Sequence, residues 1–126
     1  MKQQVLDKLG RAEGFAREWL AAWNAHDIDR IIGHYAPDAT VQSPFLAQAT
    51  GDARGCVTGA EQLRAIYGKA LLKYPDLEFR VIRVLAGMES VVIHYHTVEG
   101  LLAAETFLLD GQGRAHTVLC HYCPES

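Results

Sequence analysis

The sequence lacks the features that nucleic-acid-binding and membrane-spanning proteins need. Twelve basic residues stand against fifteen acidic ones, which gives a net charge of −3, and no basic stripe is visible that could neutralise a phosphate backbone. No apolar run approaches the roughly 18–20 residues of a membrane span, and the first ten residues lack the apolar core of a secretory signal. We therefore expect neither a nucleic-acid partner nor a membrane association.

Cysteine is scarce, and its odd count excludes complete disulfide pairing. The three cysteines are Cys56, Cys120 and Cys123, and this usage favours a reducing, cytoplasmic location. With 126 residues, 49% of them hydrophobic, the chain can bury a core without disulfides or metal. We expect a single domain over residues 1–126, with residues 1–10 either flexible or an additional helical segment.

Helix signals occupy the first 75 residues. Apolar residues spaced three and four apart predict a helix over residues 11–26. Asp27 is typical of an N-cap and predicts a second, shorter helix that Pro37 ends. The sequence Thr58-Gly59-Ala60-Glu61 has the form of a Ser/Thr-x-x-Glu capping box and predicts a third helix that stops before Pro75.

Strand signals dominate the rest of the chain. Alternation and β-branched content predict a short strand at 38–43 and longer strands at 77–86, 89–98, 101–109 and 114–122. Helices followed by a meander indicate an α+β domain with the helices on one face of the sheet. Residues 43–58 have no periodicity and are predicted to form a loop, which is either a lid over a binding site or a tolerated insertion.

The length of the hairpin turn predicts which side chains share a face of the sheet. If Glu99-Gly100 is a two-residue turn, residue 94 pairs with 105 and residue 96 with 103, so His94 and His96 lie beside Glu105. A turn at 110–113 would pair 105 with 118 and 103 with 120. The predicted face carries His94, His96, Ala103, Glu105, Phe107, Val118, Cys120 and Tyr122, and the opposite face carries Ile93, Tyr95, Thr97, Leu102, Ala104, Thr106, Leu119 and His121. A slip of one residue would exchange the faces.

Both predicted faces of the sheet are largely apolar. One is expected to pack against the helices. The other, if left exposed, would invite association, so we expect a homodimer in which the outer sheet face meets a second copy.

Several segments resemble one superfamily. The stretch Trp19-Leu-Ala-Ala-Trp-Asn-Ala-His-Asp-Ile-Asp-Arg-Ile, then Tyr35-Ala-Pro-Asp-Ala-Thr-Val, then Thr58-Gly-Ala-Glu-Gln-Leu-Arg-Ala-Ile-Tyr and the four-strand ending are similar to nuclear transport factor 2-like and SnoaL-like proteins. The resemblance covers about residues 15–122. It implies a cone-shaped, strongly bent mixed or antiparallel sheet of cystatin-like type, with three N-terminal helices enclosing an apolar pocket, usually in a dimer. The superfamily includes ketosteroid isomerases, polyketide cyclases, dehydratases, epoxide hydrolases and non-catalytic binding domains.

The resemblance implies that only some of the catalytic residues of ketosteroid isomerases have counterparts in this sequence. The resemblance places Ser43, before Pro44, where those enzymes have their catalytic Asp. A serine cannot abstract a proton without a base, so steroid-type isomerisation by that route is not expected. Trp19 stands for their oxyanion-hole Tyr and donates only through its indole N–H. Glu105 corresponds to their oxyanion-hole acid, and this position also carries a carboxyl group.

Glu105 is the most informative residue because it lies between apolar neighbours. A buried carboxyl has a raised pKa and could act as an acid or base, or hydrogen-bond a substrate. It could also form a structural ion pair with His94 or Arg83. His94 and His96 could form a general-base dyad with Glu105, a two-His-one-carboxylate metal site, or hydrogen-bonded structural residues. Because metals are uncommon in the family, we expect no metal, and we also expect no organic cofactor.

The expected ligand is small, flat and mainly apolar. The residues expected to contact it, unless they are plain core, are Trp19, Trp23, Tyr35, Phe45, Tyr67, Phe107, Cys120 and Tyr122. Two functions remain open. One is an isomerase, cyclase or dehydratase (an isomerase or a lyase) that uses a Glu105–His94 pair, with His96 and Tyr35 orienting the substrate. The other is a non-catalytic dimeric ligand-binding or accessory domain.

Overall fold

The computed structural model describes residues 1–126 as four helices and a six-stranded sheet. The helices are α1 (Lys2–Asn24), α2 (Ile28–Ile32), α3 (Pro44–Thr50) and α4 (Ala60–Lys73). The strands are β1 (Tyr35–Gln42), β2 (Cys56–Thr58), β3 (Arg80–Gly87), β4 (Ser90–His96), β5 (Leu101–Leu109) and β6 (Ala115–Pro124). No helix combines the length and the apolar character that crossing a membrane requires.

The first two helices form where the sequence predicts them. Helix α1 begins at Lys2, so the helical alternative for residues 1–10 is confirmed. Asp27 caps α2 as predicted, and its carboxylate accepts a hydrogen bond from the backbone N–H of Arg30 at 3.2 Å. Helix α2 ends at Ile32, before the position that Pro37 suggested, and Pro37 lies within β1.

The prediction that residues 43–58 form a loop was wrong, because this stretch contains α3 and β2. The Ser43 hydroxyl accepts a hydrogen bond from the backbone N–H of Phe45 at 3.1 Å, Pro44 occupies the first turn, and Gly51 ends the helix with φ 78°. Ser before Pro at the start and Gly after the end are helix boundary signals. A helix of seven residues is too short to show the apolar periodicity by which longer helices are predicted.

The capping box predicted at the start of the third helix does not form. Thr58 is the last residue of β2, where its hydroxyl lies 3.2 Å from that of Thr40 on β1. Gly59 is instead the N-cap of α4, without a side-chain hydrogen bond. Its φ of 105° belongs to a region that favours glycine.

The sheet is mixed, curved and open, with strand order β2-β1-β6-β5-β4-β3. Strands β1 and β6 are parallel and all other neighbours are antiparallel. Helix α1 packs on β3 and β4, and α4 on β1 and β2, so the helices cover the inner face. The α+β architecture is therefore confirmed, with four helices rather than three. The outer face leaves Leu85, Leu108 and Leu119 exposed.

The predicted register between β4 and β5 was wrong by one residue. The two-residue turn exists, since Glu99 and Gly100 both have positive φ and Leu101 N–H donates to the Val98 carbonyl. However, Thr97 N–H donates to the Leu101 carbonyl, so two residues oppose one, as in a β-bulge. Every β4 side chain therefore changes face. Ile93 now pairs with Glu105, and His94 pairs with Ala104.

The face predicted for β5 and β6 was right, although the pairs lie two residues further along. Glu105 pairs with Cys120, Phe107 with Val118, and Ala103 with Tyr122. A shift of two residues preserves which side chains point inward. The inner face therefore carries these six residues together with Ile93 and Tyr95 from β4.

Candidate functional site

A cavity of about 220 Å³ opens between the inner sheet face and helices α1, α3 and α4. Fifteen of its 21 lining residues are hydrophobic, which is typical of a small-molecule site. The wall contains most of the residues that the sequence proposed for ligand contact: Trp19, Trp23, Tyr35, Phe45, Tyr67, Cys120 and Tyr122, together with Glu105.

Phe107 does not line the cavity, contrary to expectation. Its ring is fully buried and packs edge-on against Phe15 and Trp19, with ring centroids 5.1 and 5.2 Å apart. It therefore supports the ring of Trp19 and belongs to the core beneath the cavity.

Glu105 is the buried ionisable group of this site. The central strand β5 points it inward, and the residue is 5% exposed. One carboxyl oxygen accepts a hydrogen bond from the Tyr95 hydroxyl, and the Cys120 thiol also hydrogen-bonds the group. Burial raises its pKa to about 7, because desolvation of the charged form outweighs these two hydrogen bonds. Near neutral pH the carboxyl therefore exists in both protonation states.

No basic side chain lines the cavity. Its wall contains no Lys, Arg or His, and its charged members are the carboxyl groups of Glu105 and Glu99. No positive charge is therefore available in the wall to hold Glu105 as a carboxylate, which leaves desolvation as the largest influence on its pKa.

Hydroxyl groups supply most of the remaining polarity. The indole N–H of Trp19 donates to the Tyr35 hydroxyl at 3.1 Å. Because indole can only donate, Tyr35 accepts this bond and keeps its own proton for another partner. Burial raises the pKa of Tyr35, Tyr67 and Tyr122, so all three remain neutral hydroxyls.

One hydrogen bond crosses a solvent-exposed part of the cavity wall. Tyr74, which follows α4, donates to the carboxylate of Glu99 at the tip of the β4–β5 hairpin. Both residues also line the cavity. This bridge joins the end of the helical layer to the hairpin of the sheet.

His94 and His96 lie on the outer face, so the predicted Glu105–His94 dyad was wrong. His94 has Arg83 and Ala104 as its neighbours across the sheet, and His96 Nδ1 lies 3.2 Å from a carboxylate oxygen of Glu125. The bulge in the hairpin is the cause. The predicted ion pairs of Glu105 with His94 or Arg83 are also not formed. No three His, Cys, Asp or Glu side chains meet as a metal ligand set.

Tyr95 was missed, although it makes the contact with Glu105 that His94 was expected to make. Phe79, Ser43, Leu77 and Tyr74 also line the cavity and were not proposed. A usable signal was present in β4, because Val91, Ile93 and Tyr95 alternate with the more polar His94 and His96. Strands with one buried face show this alternation, and it favours the observed orientation of the strand.

Comparisons with known proteins agree with this architecture. A family model described as the SnoaL-like domain matches residues 16–121. A SnoaL-like protein of unknown function from Burkholderia thailandensis is 43% identical, with a TM-score of 0.88 over 90% of this chain and 95% of that chain.

More distant solved structures share the fold. A steroid delta-isomerase from Pseudomonas aeruginosa is 23% identical, with a TM-score of 0.68 over 90% of this chain and 80% of that chain. A protein with a cystatin-like fold from Methylobium petroleophilum is 18% identical, with a TM-score of 0.73 over 93% and 79%. No curated protein matches the chain in sequence. Because the family model covers most of its length, this chain belongs to the SnoaL-like domain family.

Proposed function

We propose that this protein is a small-molecule isomerase in which Glu105 moves a proton within a bound apolar substrate. The observation that carries this proposal is a carboxyl that faces an apolar cavity with its pKa raised to about 7. General acid–base catalysis is most efficient when the pKa of the group lies near the working pH. Glu105 is suited to accept a proton and then return it.

The reaction we favour needs no second ionisable group. The carboxylate of Glu105 removes a proton from the carbon that lies between a carbonyl and a carbon–carbon double bond, and the electron pair of the C–H bond passes into the carbonyl to form a dienolate. The carboxylic acid then returns the proton at the far carbon of the original double bond, so the double bond moves into conjugation with the carbonyl and atoms and charge balance. Tyr95 holds one carboxyl oxygen in place. Tyr35 has a hydroxyl proton available for the oxyanion.

Cyclases and dehydratases could use the same carboxyl, but they commonly need a separate acid and base. With His94 and His96 on the outer face, the wall of the cavity offers Glu105 as its one deeply buried carboxyl. Isomerisation by one group that takes and returns the same proton therefore fits this site better than a lyase reaction.

Non-catalytic ligand binding is the second candidate, and Ser43 favours it. The hydroxyl of Ser43 caps α3 and lies 3.5 Å from the hydroxyl of Tyr122. The position at which the resemblance places a catalytic Asp therefore holds a structural side chain. A binding protein would bind the same ligands as the proposed enzyme without turning them over.

The experiment follows conversion of cyclohex-3-enone to cyclohex-2-enone by ultraviolet absorbance at pH 7.5. Glu105→Gln keeps the shape of the side chain and removes its acid–base chemistry, so we expect the rate to fall by about 10²–10⁴. His94→Ala alters the outer face and should retain the wild-type rate. A Glu105→Gln variant as active as the wild type would exclude Glu105 as the acid–base group. Absence of turnover with retained binding of the ketone would favour the non-catalytic alternative.

We also propose that a second copy of the chain covers the outer sheet face. One row across this face carries Leu85, Val92, Thr106 and Leu119 on four adjacent strands. Leu85 and Leu119 are 49% and 38% exposed. Leu108, on the same face, is 37% exposed, and a group of exposed apolar side chains on one sheet face is typical of a protein interface.

A further inference from the structure

We infer, on the basis of the function proposed above, that the substrate is an uncharged compound of one or two rings that carries a hydrogen-bond acceptor. Three features of the cavity support this inference: its volume, the charges in its wall and the hydroxyl groups that face it. Together they exclude two classes of ligand, the four-ring steroids and the carboxylates.

The volume of the cavity limits the size of the ligand. An apolar cavity of about 150 Å³ accommodates benzene, so about 220 Å³ suits one ring or two fused rings. Aromatic side chains line the most deeply buried part of the cavity. Phe79 stacks on Trp19 at 5.7 Å, and Tyr95 lies 4.8 Å from Phe79 between ring centroids. These packed rings close the inner end of the cavity, so a longer ligand cannot extend further in that direction.

The exposed wall beside Tyr74 opposes an extended apolar ligand. The Tyr74–Glu99 bridge closes part of this wall, and next to it lies a depression lined by Lys73, Asp76 and Glu78. Steroid rings that extended in this direction would displace the bridge or project among charged groups. Apolar rings beside hydrated charges stay in contact with water, so they gain little binding free energy from the hydrophobic effect.

The charges in the wall exclude anionic ligands. A carboxylate ligand would meet Glu105 and Glu99 without any basic side chain to offset the repulsion. A cationic ligand would form an ion pair with Glu105 and so occupy the proposed base. An uncharged ligand avoids both conflicts.

The hydroxyl groups point to the polar group of the ligand. Tyr35 accepts the indole N–H of Trp19 and retains its own hydroxyl proton. A carbonyl oxygen on the ligand, which the proposed reaction also requires, accepts this proton.

The test uses three probes and measures dissociation constants by calorimetry at pH 8. The probes are 1-indanone, which is a neutral bicyclic ketone, indane-1-carboxylate, which has the same rings and a negative charge, and testosterone, which has four rings. Both tryptophans of the chain, Trp19 and Trp23, line the cavity, so quenching of their fluorescence reports whether a ligand occupies this site.

We expect 1-indanone to bind and both other probes to bind about tenfold more weakly or worse, since a tenfold difference needs only one unfavourable contact of ordinary size. In Glu105→Gln the binding of 1-indanone should persist, and that of indane-1-carboxylate should improve because one like charge is gone. Testosterone binding as tightly as 1-indanone would overturn the size limit. Equal binding of the carboxylate, or no binding of any probe, would overturn the inference.

These outcomes can be separated from failure of the proposed function. Binding of 1-indanone by both the wild type and Glu105→Gln, without isomerisation of cyclohex-3-enone by either, would remove the proposed activity and leave the ligand class in place. Isomerisation that depends on Glu105, combined with tighter binding of testosterone, would do the reverse.

Discussion

Replacing Glu105 by Gln should change how the stability of the protein depends on pH. The folded state holds a proton on this buried carboxyl up to about pH 7, whereas its ordinary pKa is 4.5. Between these values the native state binds one proton more than the unfolded state. The free energy of unfolding of the wild type should therefore fall as the pH rises through this interval and level off above it.

The magnitude follows from the two pKa values. The interval from 4.5 to about 7, at about 1.36 kcal/mol per pH unit, corresponds to about 3 kcal/mol. Below pH 4.5 the carboxyl is neutral in both states and this destabilisation vanishes. Gln carries no charge at any pH, so the variant should lack this contribution. The stability of the variant relative to the wild type should rise by about 3 kcal/mol between pH 4.5 and 8.

Urea unfolding followed by tryptophan fluorescence at pH 4.5, 5.5, 6.5 and 8 measures this difference. The protein concentration is held constant, because association would alter the apparent stability. Glu13→Gln makes the same chemical change on the exposed surface of α1 and serves as the matched control. If the curves of the wild type and of Glu105→Gln run parallel across this range, the reasoning about the buried carboxyl is refuted.

Three further predictions concern other parts of the structure. Tyr95→Phe removes a hydrogen bond that lowers the pKa of Glu105, so the titration midpoint of Glu105 should move upward, which nuclear magnetic resonance would show; an unchanged midpoint would exclude the contact. Gly55→Ala should lower the melting temperature, because the φ of 61° disfavours a side chain and the new Cβ would collide with the Ser43 carbonyl oxygen; an unchanged melting temperature would contradict this geometry. Leu119→Arg should convert the proposed homodimer to monomer in sedimentation velocity, and a wild type that is already monomeric would refute the dimer.

The architecture could be predicted from the sequence because its signals are periodic or are carried by familiar motifs. The stripe of Trp19 and Trp23 identifies α1, and Asp27 identifies the start of α2. The burial of Glu105 could also be anticipated, because apolar residues surround it on a strand. These are local signals, and each depends on a residue and its immediate neighbours.

The partner of Glu105 could not be predicted in the same way. A hairpin turn at Glu99 and Gly100 was anticipated correctly, yet the additional residue beside it moved His94 to the outer face and Tyr95 to the inner one. Bulges depend on how the whole strand fits its neighbours. An error of one residue in the predicted pairing assigns every side chain of the strand to the wrong face. The predicted face of β6 was still correct, because its observed pairing with β5 differs from the predicted pairing by two residues.

The central claim is that Glu105 holds a proton near neutral pH, and its titration in the folded protein tests this most directly. Carbon-13 labelling of the glutamate side chains allows the carboxyl resonance of Glu105 to be assigned by its absence in Glu105→Gln and followed from pH 3 to 9. A midpoint near pH 7 is the predicted result. A midpoint close to 4.5, the ordinary value for the side chain, would show that the carboxyl is solvated and would contradict the proposed site.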